Sequence, residues 1–177
     1  SSYEYNVAVS RETVKFSHSI GVSVEAELGV LGSLETMQGD KEDGHGAEGV
    51  LSKEQLLTDP DEAVEFVNRT GCDSLAVAIG TSHGAYKFKG EARLDFDRLE
   101  TISKKLPDYP LVLHGASGIS DADIKQAISL GISKINIHTE LCQAAMAAVQ
   151  ENHNQPFLHV EREVRKAVKA RALEKIK

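Results

Sequence analysis

Apolar residues in this chain follow two patterns. Residues 75–79 (Leu-Ala-Val-Ala-Ile) and 110–113 (Pro-Leu-Val-Leu) are short continuous apolar runs bounded by Gly or Pro. Runs of this length read as strands buried on both faces. Residues 22–28 and 132–137 read as two further strands. The first carries Glu25 and Glu27, which share a face because side chains two apart point the same way. Between these strands, spaced apolar positions mark helices. The first is predicted over 7–19, with Val7, Val14, Phe16 and Ile20 among its apolar positions and Gly21 ending it. Asp59-Pro60 opens a second over 61–68, which Thr70-Gly71 stops. Others are expected over 95–105, over 124–130 after the capping-box-like Ser120-Asp121-Ala122-Asp123, and over 139–152, where Thr139 is the expected cap. A long helix of mixed charge is expected over 157–177.

One helix is thus followed by four strand–helix repeats and a last helix. Strands alternating with helices imply a parallel α/β sheet. Four such units are half of a (β/α)8 TIM barrel, which typically needs ~250 residues. Standing alone, four strands leave two open edges. Ser1-Ser2-Tyr3 also enters a helix at once, as a loop after a preceding strand would. The expectation is a single partial TIM-barrel domain over 1–177, the C-terminal half of a longer barrel; a smaller open sheet is the other possibility. Glycines and charges dominate 29–57, which is expected to be a long active-site loop.

Composition narrows the class. At 177 residues, 41% hydrophobic and 27% charged, the chain suits a globular domain with a sizeable core. No apolar run approaches the ~20 residues of a membrane span, and the first residues lack a signal-peptide pattern. Cys72 and Cys142 have no metal or redox spacing and read as reduced thiols of a cytoplasmic protein. A net charge of −7 argues against nucleic-acid binding. It leaves phosphorylated small molecules open, because backbone N–H groups hold phosphate without net positive charge.

The chemistry is foreshadowed at two strand ends. Residues 75–79 run into Gly80-Thr81-Ser82-His83-Gly84, and 110–113 run into His114-Gly115-Ala116-Ser117-Gly118. Each places a histidine beside glycine and hydroxyl residues at the C-terminal tip of a strand, where α/β enzymes carry their sites. A lone histidine there is more often a hydrogen-bonded core residue than a ligand. Two in matched surroundings put a metal role level with that reading. Gly115–Gly118 reads either as a tight turn or as a phosphate-binding loop.

Four segments occur in order: Val24-Glu25-Ala26-Glu27-Leu28-Gly29, Gly80–Lys87, Leu113–Gly118, and Lys134-Ile135-Asn136-Ile137-His138-Thr139-Glu140. Together they resemble the class II, zinc-dependent ketose-bisphosphate aldolases, over nearly the whole chain. The resemblance implies cleavage of a ketose 1,6-bisphosphate to dihydroxyacetone phosphate and glyceraldehyde 3-phosphate. It implies Zn2+ as cofactor, with room for a monovalent cation, and a phosphorylated sugar as substrate. It also implies a homo-oligomer, dimer or tetramer, with no nucleic acid or membrane partner. His83 and His114 match two zinc ligands, and Glu27 matches a residue that holds the metal in an alternative position. Glu35 matches the loop glutamate that moves the proton on the dihydroxyacetone carbon, with Glu42 a second candidate. Asn136 matches the residue that hydrogen-bonds the substrate hydroxyl. Gly84, Lys87, Gly115, Ser117 and Thr139 match residues around a phosphate.

The pattern is incomplete. The family's third histidine ligand and its acid/base aspartate lie in a His-x-Asp-His segment that these residues do not contain. The chain alone is therefore expected to be inactive. His138 departs from the family's small or acidic residue. Fructose 1,6-bisphosphate is favoured over tagatose 1,6-bisphosphate because Gly44-His45-Gly46-Ala47-Glu48-Gly49 resembles the loop of some fructose-bisphosphate aldolases. A non-catalytic phosphate-binding fragment and a metal-free open-sheet phosphosugar binder are the competing readings. Glu25 is expected to be structural. His18, His45, His153 and His159 are expected on the surface, and the charge run 161–177 as a solvated helix face.

Overall fold

The computed structural model describes residues 2–30, 52–81 and 94–176, with the backbone alone at 32–33, 38–39 and 53–54. The strands are β1 (Glu25–Leu28), β2 (Gly32–Ser33), β3 (Gln38–Gly39), β4 (Ser74–Val77), β5 (Leu111–Leu113) and β6 (Ile132–Ile135). The helices are α1 (Tyr3–Ser19), α2 (Lys53–Leu56), α3 (Pro60–Thr70), α4 (Phe96–Lys105), α5 (Asp121–Ser129), α6 (Thr139–Asn152) and α7 (Phe157–Ile176). Strands β1, β4, β5 and β6 form one parallel sheet in that spatial order. The chain thus adds strands to one edge in sequence, with a helix between each pair, as a half barrel does.

Local chemistry explains most boundaries. Asp59 accepts from the Asp61 and Glu62 amides at 2.8 and 3.0 Å, Pro60 starts α3, and Gly71 ends it at φ 69°. Ser120 accepts from the Asp123 amide at 3.1 Å and donates to the Asp123 carboxylate at 2.8 Å, opening α5. Helix α5 begins at Asp121, three residues before the expected start at 124, because Ser120 caps it there, and two further starts differ from expectation. Helix α1 begins at Tyr3 rather than Val7, because Ser2 caps it by accepting from the Tyr5 amide at 3.3 Å. Thr139 does not cap α6: it is already the first helical residue, and His138 occupies the cap without a side-chain bond. The loop expected over 29–57 holds a short antiparallel pair, Gly32↔Gly39 and Ser33↔Gln38, and the one-turn α2. The strands expected over 22–28 and 132–137 are shorter, 25–28 and 132–135.

The core lies between the sheet and its helices. Leu75, Val77, Leu111 and Leu113 pack with Phe66 of α3 and with Leu99 and Ile102 of α4, all 2% exposed or less. On β1, Ala26 and Leu28 are buried whereas Glu25 and Glu27 are not. One face of the sheet is therefore apolar under helices, and the other carries charge.

Thr58 ties the C-terminal ends of β1 and β4 together. It is 1% exposed, and its hydroxyl donates to the Leu28 carbonyl while accepting from the Ala78 amide at 2.8 Å. Its own amide donates to the Ala78 carbonyl at 2.9 Å, and Arg98 donates to its carbonyl at 3.0 Å. Gly29, at φ 99°, passes so close that a Cβ there would lie 2.7 Å from the Thr58 hydroxyl and 2.8 Å from the Ala78 Cβ. Replacing Thr58 with valine keeps the shape but strands a buried carbonyl and a buried amide. T58V is expected to lose about 2–4 kcal/mol of stability by urea denaturation.

Candidate active site

The charged face of the sheet is organised around one imidazole. His114 is the first residue past β5. Its Nε2 lies 3.0 Å from Glu25 Oε1, and its Nδ1 lies 3.3 Å from Glu27 Oε2. Lys134 of β6 donates to the two Glu25 oxygens at 3.1 and 2.8 Å. β1 and β6 are the outer strands of the sheet, with β4 and β5 between them. Three strand spacings in a flat sheet amount to about 14 Å. Side chains standing perpendicular to a flat sheet would leave that gap open, so the contact between Glu25 and Lys134 fits a sheet that curls toward this face, as a barrel wall does.

Burial works against the Glu25 carboxylate, but the hydrogen bonds from Lys134 and His114 outweigh it and hold Glu25 below the usual carboxylate range. The Glu27 hydrogen bond raises the His114 pKa, burial opposes it, and Glu25 adds to the rise. The two nitrogens face different surroundings. Glu25, already neutralised by Lys134, fixes the ring through Nε2. Nδ1 faces Glu27, whose side chain is 39% exposed.

An imidazole nitrogen beside a carboxylate oxygen is a donor pair that zinc takes, and a carboxylate on the far nitrogen is how metal-binding histidines are oriented. The residues fit a metal in donor type. Among the described residues, no three His, Cys, Asp or Glu side chains converge on one metal point. His83 lies outside the described residues, as do Gly84, Lys87, Glu35 and Glu42.

Beside His114 the chain turns through Gly115 at φ 62° and Gly118 at φ 81°, a left-handed backbone that glycine adopts without strain. The turn is fastened to β6 and α6. The Ala116 amide donates to the Asn136 carbonyl at 3.3 Å, and the Asn136 amide to the Leu113 carbonyl at 3.0 Å. Ser117, 4% exposed, accepts from the His138 amide at 3.3 Å. The Gly118 amide donates to Glu140 at 2.7 Å. Asn136 follows β6 with its side chain exposed, and Thr139 opens α6. The structure thus gathers Glu27, His114, Gly115, Ser117, Asn136 and Thr139 around the C-terminal ends of β1, β5 and β6. Two further described histidines have other partners. His18 pairs with Asp73 at 2.9 Å, and His138 lies 3.3 Å from the Cys142 thiol.

Sequence reasoning did not find the partners of Glu25 and Glu140. The visible sign of the first was a lysine inside the otherwise strand-like 132–137. Arg171 and Lys175, which reach Glu140, follow it by 31 and 35 residues and gave no sign.

Comparison with known proteins places the chain in a class. The profile of the family described as fructose-bisphosphate aldolase class-II matches residues 1–177. The chain is 59% identical over 175 residues to the Escherichia coli (strain K12) protein YdjI, covering 99% of this chain and 58% of that one. It is 50% identical over 175 residues to the class 2 fructose-bisphosphate aldolase of Synechocystis sp., covering 85% of this chain and 48% of that one. The crystal structure of the E. coli YdjI aldolase superposes with a TM-score of 0.79 at 55% identity, over 99% of this chain and 56% of that one. A crystal structure from Coccidioides immitis, of a protein assigned as a fructose-1,6-bisphosphate aldolase, gives 0.80 at 31% identity, over 99% of this chain and 58% of that one. The chain belongs to the class II fructose-bisphosphate aldolase family. It spans about half the length of the curated relatives it matches.

Glu140 gives a pH test. Burial opposes its charge, but the Gly118 amide, Lys175 and Arg171 together hold its pKa below the ordinary 4.5. A carboxylate depressed in the fold stabilises it above the unfolded value, and that contribution is lost as pH falls through the folded value. E140Q should cost about 1–2 kcal/mol at pH 7 in thermal or urea melts. The difference from wild type should shrink as pH falls below 4.5. An unchanged difference at pH 3 would remove Glu140 from this role.

Proposed function

We propose that this chain supplies half of the site of a metal-dependent aldolase. The reaction is reversible cleavage of a ketose 1,6-bisphosphate, with fructose 1,6-bisphosphate favoured, to dihydroxyacetone phosphate and glyceraldehyde 3-phosphate. The observation that carries the reading is His114, held through Nε2 by Glu25 and facing Glu27 with Nδ1, directly before the Gly115–Gly118 turn. Family membership supplies the reaction class.

In this reading His114 and His83 hold zinc, and Glu27 offers an alternative oxygen ligand. When bound, zinc supplies Lewis-acid polarisation of the substrate ketone. Lys134 keeps Glu25 charged and paired, and Glu25 keeps the His114 ring turned so that Nδ1 faces the metal position. Asn136 hydrogen-bonds a substrate hydroxyl. Glu35 carries the proton to and from the carbon of dihydroxyacetone phosphate. Gly84, Lys87, Gly115, Ser117 and Thr139 surround a phosphate, using close backbone approach and one ammonium. A monovalent cation at the phosphate, a cytoplasmic setting and a homo-oligomer belong to the same reading. So does a single domain over 1–177, the C-terminal half of a barrel.

Cleavage of the C3–C4 bond also needs a base for the C4 hydroxyl, and the 177 residues hold no His-x-Asp-His segment to supply one. The chain alone, given fructose 1,6-bisphosphate and excess zinc, is expected to release no dihydroxyacetone phosphate. Joined to a half barrel bearing that segment, it is expected to turn over, and a chelator should stop it. Turnover by the chain alone would show that it recruits ligands from residues not named above. Failure of the joined protein would remove the aldolase reading.

In the joined enzyme, H83A or H114A should lower bound zinc and abolish cleavage. E35Q should keep zinc and slow hydrogen exchange at the dihydroxyacetone phosphate carbon by about 10²-fold or more, the usual weight of a general base. Normal exchange in E35Q with loss in E42Q would move the base to Glu42.

A further inference from the structure

The carboxylate that fixes the turn after β5 is itself held from the far end of the chain. Glu140 is the second residue of α6, and its side chain is 9% exposed. Oε1 accepts the Gly118 amide at 2.7 Å. Oε2 takes a guanidinium hydrogen bond from Arg171 and lies 3.5 Å from Lys175 Nζ, both on α7. Arg171 also reaches Glu174 at 2.7 Å, and Lys175 reaches Asp121, the first residue of α5, at 3.4 Å. Helix α7 therefore grips both the Glu140 anchor of the turn and the helix into which the turn leads.

We propose that Arg171, with Lys175, is a positioning residue for phosphate binding: it neutralises the Glu140 carboxylate that fixes the Gly115–Gly118 turn. The proposal rests on the phosphate role given to that turn above. A carboxylate is a good anchor for a backbone amide but a poor neighbour for a phosphate dianion. In a site sheltered from water its repulsion is weakly screened. The two α7 cations offset that charge while leaving the hydrogen bond to Gly118 in place. Gly118 needs the anchor, because at φ 81° its amide direction is set by the turn and by Glu140. Arg171 and Lys175 thus influence the ligand through Glu140 rather than by touching it.

The test is amide NMR of the joined enzyme described above, titrated with inorganic phosphate and reading Gly115, Ser117 and Gly118, with a thermal melt for each variant. R171M should weaken phosphate about tenfold, the effect of one uncompensated charge at moderate effective dielectric. R171K should stay within about threefold of wild type, since it keeps the charge. E140Q keeps an acceptor for Gly118 and removes the repulsion, so it should bind at least as tightly as wild type. With Gln at 140, Arg171 loses the carboxylate that holds it beside the turn and keeps only Glu174, so R171M added to E140Q should change little, the non-additivity that marks action through Glu140. Equal weakening by R171M in both backgrounds would overturn the proposal, as would wild-type affinity in R171M. If R171M does not fold, weaker binding by E140Q overturns it instead. Absence of any phosphate response in the wild type would remove the phosphate role of the turn and this inference together; a wild-type response with no effect of the variants removes this inference alone.

Discussion

Glu25 and Lys134 meet across the face of a sheet whose outer strands they occupy. Two intervening strands have to curl for that to happen, and the curl sets the shape of everything at the C-terminal ends. It brings the ends of β1, β5 and β6 around one space. It brings His114 within reach of Glu25 and Glu27 on β1, although β4 stands between β1 and β5. A flat sheet with the same elements would hold these residues apart.

The polarity of the two faces follows from the same geometry. Ala26 and Leu28 enter the helix-covered core, so Glu25 and Glu27 must point the other way. Charges on that face lose solvation as the sheet curls. They survive because each has a partner of opposite sign: Glu25 has Lys134 and His114, and His114 has Glu27. The shifts of Glu25 and His114 both favour the charged forms, so pairing outweighs desolvation for both groups. An imidazole with a carboxylate at each nitrogen is a position where a cation is favoured, and a proton and a metal compete for it.

Thr58 and Glu140 do related work at the rim. Thr58 closes the ends of β1 and β4 with a buried hydroxyl, and Glu140 closes the turn after β5 with a buried carboxylate. The carboxylate needs neutralisation where the hydroxyl does not, and α7 provides it. No residue of α7 is buried, yet the helix carries Arg171 and Lys175 to the one carboxylate in α6 that touches the turn.

Much of this was readable along the chain. Short apolar runs, Asp59-Pro60, Ser120 with Asp123, and Gly71, Gly21 and Gly131 act within a few residues, so they reported elements and order directly. The period of two in Glu25-Ala26-Glu27 announced a paired acidic face, and the four ordered motifs pointed to the family that the comparisons show. Helix starts were less certain. A serine at position 2 outweighed the apolar pattern in α1, and Thr139 is the first residue of α6, with His138 at the cap position. The tertiary structure alone decided which charges meet. Glu25 and Lys134 are 109 residues apart, Glu25 and His114 are 89 apart, and Glu140 and Arg171 are 31 apart. Local spacing cannot encode such pairs, because they depend on how far the sheet curls and where α7 lies against α6, and both are set by packing summed over the whole fold.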